Sequence, residues 1–225
     1  MSFMRKSILS ITTVVPLLLL IAITVLPKPG YSAQILSGNI SPVELEVITM
    51  LGKKSKALPE FELTDHHKQI LGNERFRGKW NLMFFGYTNC PDVCPNTLSI
   101  MNNIMNEMPP EKRDSVKVYF VSVDPERDSL ESLSKYMSYF NPDFIAATAD
   151  PDKLNVLTKA LGVSHKIKKK SASDMAYSVN HSGYVVLIDP EVRYSGLFFS
   201  EPENVQAIAR DMTHLIKNNQ HPLKY

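Results

Sequence analysis

The chain has 225 residues, an apolar fraction of 44% and a formal net charge of +2. That length suffices for one domain with a real core. The near-neutral charge, with no arginine stripe and no interleaving of aromatic and basic residues, excludes nucleic acid as a partner.

At the N-terminus, Arg5 and Lys6 precede an uncharged, largely apolar run from Ile8 to Leu26, closed by Pro27, Lys28, Pro29 and Gly30. As a helix it rises roughly 28 Å, close to the thickness of the bilayer hydrocarbon. A signal-peptide core is shorter, about 7–15 apolar residues. Pro16 interrupts the run, which a membrane helix tolerates. Residues 1–33 are therefore expected to form an uncleaved anchor rather than a cleaved secretory signal. Either one exports the remainder of the chain, because the positive charges stay on the cytoplasmic side. The expected location is a bacterial inner membrane crossed once, with the domain on the periplasmic side.

Residues 34–57 mix Pro, Gly, Ser and Lys and read as a spacer, in which Val43, Leu45 and Val47 alternate as a short strand would. The exported domain is expected over residues 58–225. Trp80 to Gly86 is a continuous apolar run, as in a strand buried on both faces. Leu98, Met101, Met105 and Met108 recur at helical spacing, with Pro95 suited to a first helical turn. That spacing assigns these methionines to core packing. Val116 to Val123 is a second strand, followed by a helix to about Phe140 capped by Asp128 or Ser129. Phe144 to Thr148 is a third strand. The next helix is punctuated by Asp150, Pro151 and Gly162. Tyr184–Asp189 and Tyr194–Phe199 form a hairpin turned at Pro190 and Glu191. A last helix starts at Pro202 and shows Val205, Ile208, Ala209, Met212, Leu215 and Ile216 on one face. This alternation describes an α/β sandwich with a mixed central sheet. Its reactive pair sits after a central strand at a helix entry, as in thioredoxin-like and peroxiredoxin-like domains.

The chain contains two cysteines, Cys90 and Cys94, both in the exported part. A disulfide across so short a loop restrains little of the unfolded chain, which points to redox or metal chemistry. If Cys94 opens the helix, free backbone amides there favour its thiolate. Two soft thiolates suit Cu(I), Zn(II) or an iron–sulfur centre, and the last usually takes four cysteines. A third ligand for copper or zinc would be one of six histidines. His66 and His67 lie in a polar loop, His165 in a lysine-rich stretch where cation crowding opposes metal binding, and His214 and His221 at the C-terminal end. His181 stands at a strand end, before Ser182 and Gly183. Its position there suits a ligand and a plain loop histidine equally.

Phe85-Gly86-Tyr87-Thr88-Asn89-Cys90-Pro91-Asp92-Val93-Cys94-Pro95 resembles the Sco/SenC signature, a CxxxC pair framed by prolines and an aspartate. Val121 to Asp128 resembles the second motif of that family, and Tyr177 to Ser182 the third. The similarity runs from about residue 58 to 217. It implies copper, Cu(I) and also Cu(II), held by Cys90, Cys94 and His181, with Cys90 and Cys94 also able to form a redox disulfide. It implies delivery of copper to the copper A site of a cytochrome c oxidase subunit, or reduction of the thiols there, alongside other copper chaperones or thiol reductants. Asp124 and Asp128 would lie outside the ligand set, or serve as turn former and helix cap. The family commonly carries an acid before its histidine. Asn180 stands there instead and is expected to weaken Cu(II) more than Cu(I). Lys166, Lys168, Lys169 and Lys170 read as a solvated polar loop.

The competing function is an exported, membrane-anchored thiol–disulfide oxidoreductase using the same sulfurs. Such enzymes usually have CxxC. A peroxidase would want Ser or Thr three residues before its cysteine, where Tyr87 and Pro91 stand. A zinc enzyme would want a nearby general base.

Overall fold

The computed structural model describes residues 45–168 and 178–218. The run Ile8–Leu26, residues 34–44 of the expected spacer, Lys169, Lys170, Tyr177 and His221 lie outside the described residues. Among the described residues no helix is long and apolar enough to cross a membrane.

The strands are β1 (Thr49–Met50), β2 (Lys56–Ala57), β3 (Glu62–Asp65), β4 (Ile70–Gly72), β5 (Trp80–Gly86), β6 (Val116–Ser122), β7 (Ile145–Thr148), β8 (His165–Lys168), β9 (Ser178–His181), β10 (Tyr184–Ile188) and β11 (Arg193–Phe199). The helices are α1 (Val93–Glu107), α2 (Pro110–Arg113), α3 (Leu130–Ser138), α4 (Pro151–Leu161) and α5 (Val205–Asn218). One sheet runs in the order β1-β11-β10-β5-β6-β7-β3-β4, with β2 also on β11, while β8 and β9 make a separate ribbon. Pairing is parallel for β5–β6 and β6–β7 and antiparallel for β10–β5 and β3–β7. This is the mixed sheet expected from the alternation of elements.

All seven residues of β5 are buried. Since successive side chains leave a strand on opposite faces, both faces of β5 are covered, and its apolar run needs no alternation. Leu98, Met101 and Met108 are buried and Met105 packs against them, so the methionine stripe is core. Helix α1 lies against α5, and α3 against β7. Ser129 caps α3, its hydroxyl accepting from the Ser132 amide at 3.1 Å. Asp128 therefore remains free of the cap. Gly162 ends α4 at φ +67°, a left-handed conformation that favours glycine. The last helix begins later than expected: Pro202–Asn204 is a 3-10 turn, and α5 starts at Val205.

The stretch 45–57, read as spacer, instead forms part of the sheet. β1 pairs with β11 through Thr49 and Leu197, and β2 through Lys56 and Tyr194. Ile48 is buried. Its polar composition hid this, because much of the segment is held through backbone groups. The buried Asp211 carboxylate of α5 accepts hydrogen bonds from the amides of Glu46, Val47 and Ile48 at 3.0, 2.9 and 3.0 Å. Asp211→Ala leaves three amides without that acceptor. We expect a loss of about 2–4 kcal/mol in denaturant unfolding, with faster hydrogen exchange at residues 46–48. Unchanged exchange there would refute the clamp.

Candidate metal centre

The site starts where β5 stops. Gly86 ends the strand, residues 87–92 turn, and α1 opens at Val93. The Cys90 amide donates to the Tyr87 carbonyl at 3.2 Å, closing a tight turn. Cys90 is half-buried, Cys94 is fully buried, and both are free thiols. The Cys94 amide points to the Cys90 sulfur at 3.4 Å. The helix N-terminus therefore serves Cys90 through this amide, not Cys94 as expected from the sequence. Burial pushes the Cys94 thiol well up, against a hydrogen bond with the Tyr87 backbone that favours its thiolate.

Gly86 is the closest support of the pair. A β-carbon there would lie 2.6 Å from the Cys94 sulfur and 2.8 Å from Cε2 of Phe120. Only a residue without a side chain lets the helix start approach the strand so closely.

The segment Val121–Asp128 builds the wall beside the cysteine turn. The buried Asp128 carboxylate accepts from the Thr88 amide (2.9 Å), the Thr88 hydroxyl (2.6 Å) and the Ser122 hydroxyl (2.6 Å). It thus fastens the residue two before Cys90 to the end of β6. The buried Asp124 pairs with Arg127 Nε at 2.6 Å, and the Arg127 guanidinium lies 5.4 Å from the centre of the Tyr87 ring. Asp128 therefore holds the turn directly through Thr88, Asp124 acts on it through Arg127, and Asp128 is not the helix cap.

The register of β10 on β5, with Val186 opposite Met83 and Leu187 opposite Leu82, puts the start of β10 at the sheet end where Gly86 passes into the cysteine turn. The β9–β10 junction, with His181 at its edge, is carried to that same end. In the β8–β9 ribbon, His181 stands opposite His165 and Asn180 opposite Lys166. The lysine-rich stretch expected as a loop is thus a strand as far as Lys168. His165 is half-buried, and burial pushes its imidazole down, toward the neutral form that metals bind. The His181 side chain lies outside what the structure describes. Among the described residues no three His, Cys, Asp or Glu side chains gather around one point.

The remaining histidines stand apart. His66 Nδ1 meets the Ala146 amide at 2.9 Å, and its ring lies 4.0 Å from that of His67. His214 bonds Asn218 on the same helix. Sequence reasoning did not find Thr88, Ser122, Arg127 or Tyr136. Thr88, Ser122 and Arg127 lie within the first two motifs, but their contacts with the aspartates are made between segments far apart in sequence, and Tyr136 lies outside the motifs.

The donor set fits a soft ion. Two sulfurs held on a strand-to-helix turn suit a thiophilic metal, and neither is locked in a disulfide. The family model described as SCO1/SenC matches residues 50–217. The chain is 33% identical over 169 residues to a Stutzerimonas stutzeri protein provisionally named copper-binding, covering 75% of this chain and 81% of that one. It is 33% identical over 158 residues to an SCO2-like protein of Rickettsia prowazekii (strain Madrid E), covering 70% and 74%. Among solved structures it is similar to Bradyrhizobium japonicum ScoI with copper bound, with TM-score 0.61 and 30% identity over 69% of this chain and 98% of that one. The fold is the thioredoxin-like sandwich expected from the sequence.

Proposed function

The chain belongs to the SCO1/SenC family, and from that footing we propose that it is a copper carrier whose ligands are Cys90, Cys94 and His181. The observation that supports this most is that the unbridged cysteine turn and the start of β10, which follows His181 in the chain, lie at one end of the sheet. Two thiolates and one imidazole hold Cu(I) in three-coordination and leave a side open for an incoming ligand. Transfer then proceeds by ligand exchange, without a change of oxidation state. Because the thiols must lose their protons, loading releases protons to solvent.

The recipient is the subunit of cytochrome c oxidase that carries the copper A site. Residues 1–33 tether the domain to the inner membrane, where that complex resides, and hold it on the periplasmic side. Val93 is exposed within the CxxxC turn. Phe199 is exposed one residue before Ser200, whose hydroxyl bonds Thr97 of α1 at 3.0 Å. These exposed apolar side chains, one between the cysteines and one next to the contact with α1, suit a protein partner.

A second reading rests on the unequal burial of the thiols. The half-exposed Cys90 can attack a partner disulfide, forming a mixed disulfide and releasing one partner thiol. The buried Cys94 then displaces the second partner thiol and closes the Cys90–Cys94 disulfide, so two thiols are oxidised as one partner disulfide is reduced.

Anaerobic Cu(I) titration of the reduced full chain in detergent, beside His181→Ala, tests the carrier. One copper per chain, with affinity falling about 100-fold in the variant, a change of about 2.7 kcal/mol, is the expected result. Weak binding, or binding that ignores His181, would overturn it and leave the thiols as redox groups.

A further inference from the structure

The β8–β9 ribbon stands apart from the main sheet, and its register pairs His165 with His181. One step along that register, the Ser182 amide donates to the Ser164 carbonyl at 3.1 Å, and the Ser164 amide donates to the Ser182 hydroxyl at 3.1 Å. In an antiparallel ladder, hydrogen-bonded and non-hydrogen-bonded pairs alternate. Ser164 and Ser182 make the ladder bond, so His165 and His181 form a non-hydrogen-bonded pair. Such pairs bring their Cα atoms to roughly 4.5 Å, the closest approach between facing residues.

Residues directly opposite each other share a face of a ribbon, and successive residues alternate between faces. His165 and His181 therefore lie on one face, with Ile167 and Val179 two positions along it. Lys166 and Lys168 fall on the other face, opposite Asn180 and Ser178. His165 is half-buried, and among the described residues nothing hydrogen-bonds its ring. An imidazole nitrogen sits about 2.0–2.1 Å from a bound zinc ion, and Cu(II) takes the same donor. A Cβ separation of about 4.5–5.5 Å, general for facing pairs, lets two imidazoles reach one ion.

We propose that His165 and His181 form a second metal site, a two-imidazole clamp across the ribbon for Cu(II). It needs neither cysteine. Its donors are borderline nitrogens where the CxxxC pair offers soft sulfurs, so it takes the divalent ion where the thiols take Cu(I). Two protein ligands leave the other positions to water, which makes the site open and exchangeable. The clamp shares His181 with the copper-carrier reading and does not depend on it. One chain then holds copper in either of two ways, through His181 and both sulfurs or through His181 and His165.

The test is Cu(II) titration of the full chain in detergent carrying Cys90→Ser and Cys94→Ser, with electron paramagnetic resonance of the product. One Cu(II) per chain, showing coupling to two nitrogens, is the expected result. Adding His165→Ala or His181→Ala should lower the affinity about 100-fold, the advantage of two linked donors over one, and leave one nitrogen coupling. His165→Gln keeps a polar side chain on the ribbon and should show the same loss. Moving the imidazole by one residue, with His165→Ala and Lys166→His, turns it to the other face and should not restore binding. Affinity untouched by His165→Ala and His165→Gln, or restored by the moved histidine, would overturn the site and place the ion elsewhere. Cu(I) titration of the chain with both cysteines judges the carrier reading alone, and its failure would leave the Cu(II) result standing.

Discussion

Asp128→Ala is expected to remove about 4 kcal/mol of folding stability and to abolish tight copper binding. The carboxylate is buried and accepts three hydrogen bonds, two from Thr88 and one from Ser122. A hydrogen bond to a charged group contributes about 1.5–3 kcal/mol. The three share one acceptor and do not add fully, so the total falls below their sum. Deletion also strands the buried Ser122 hydroxyl and the hydroxyl and amide of the half-buried Thr88, so the loss exceeds that of any single bond. For a domain with a net stability of about 5–15 kcal/mol this is a large fraction. The damage is local as well as global, because Thr88 begins the turn that presents Cys90. Once released, that turn no longer holds the two sulfurs at one spacing. Asp128→Asn keeps one acceptor oxygen but turns an amide donor toward a donor, so it should fall between alanine and aspartate. Urea unfolding and Cu(I) titration of both variants are the measurements. A loss under about 1 kcal/mol, or copper binding untouched in the alanine variant, would show that the carboxylate does not organise the turn.

Asp128 also marks the limit of what the sequence can reveal. A residue next to Ser129 at a helix start reads as one of two possible caps, and the local pattern cannot choose between them. The choice is made by Thr88, forty positions away, which competes for the carboxylate. The same division holds elsewhere. Continuous burial of Trp80–Gly86, the Pro151 and Gly162 punctuation of α4, and the methionine stripe of α1 all follow from periodicity and backbone chemistry within one segment. The stretch 45–57 reads as spacer because its place in the fold depends on a sheet edge at β11 and a carboxylate on α5, neither of them local. The cysteine pair is legible as a soft-metal or redox site. The direction of the Cys94 shift is not, because a helix start suggests a stabilised thiolate while tertiary burial opposes it. His165 shows the same lesson: surrounded by lysines in sequence, it stands in register with His181 on the neighbouring strand of a ribbon.

Gly86→Ala should damage the copper site out of proportion to the single methyl group it adds. The backbone of Gly86 is not in the left-handed region, so alanine strains no dihedral, and the whole effect is steric. The new carbon would lie 2.6 Å from the Cys94 sulfur and 2.8 Å from the Phe120 ring, well inside contact distance. Neither neighbour yields easily. The Cys94 side chain has one rotatable bond and sits in the first turn of α1, and Phe120 is packed between Phe84 and Tyr136. Overpacking of this kind costs about 1–3 kcal/mol. The functional loss should be greater than the stability loss suggests, because the first group to move is a proposed metal ligand. Copper sites accept ligand displacements of only a few tenths of an ångström, so Cu(I) affinity should drop about 10- to 100-fold. Gly183→Ala provides the contrast. It lies two residues from His181, and a β-carbon there meets nothing within 4 Å, so both stability and affinity should be unchanged. If Gly86→Ala bound copper as tightly as Gly183→Ala, the sulfur of Cys94 would not be held where the metal needs it, and the carrier would require a different second thiol geometry.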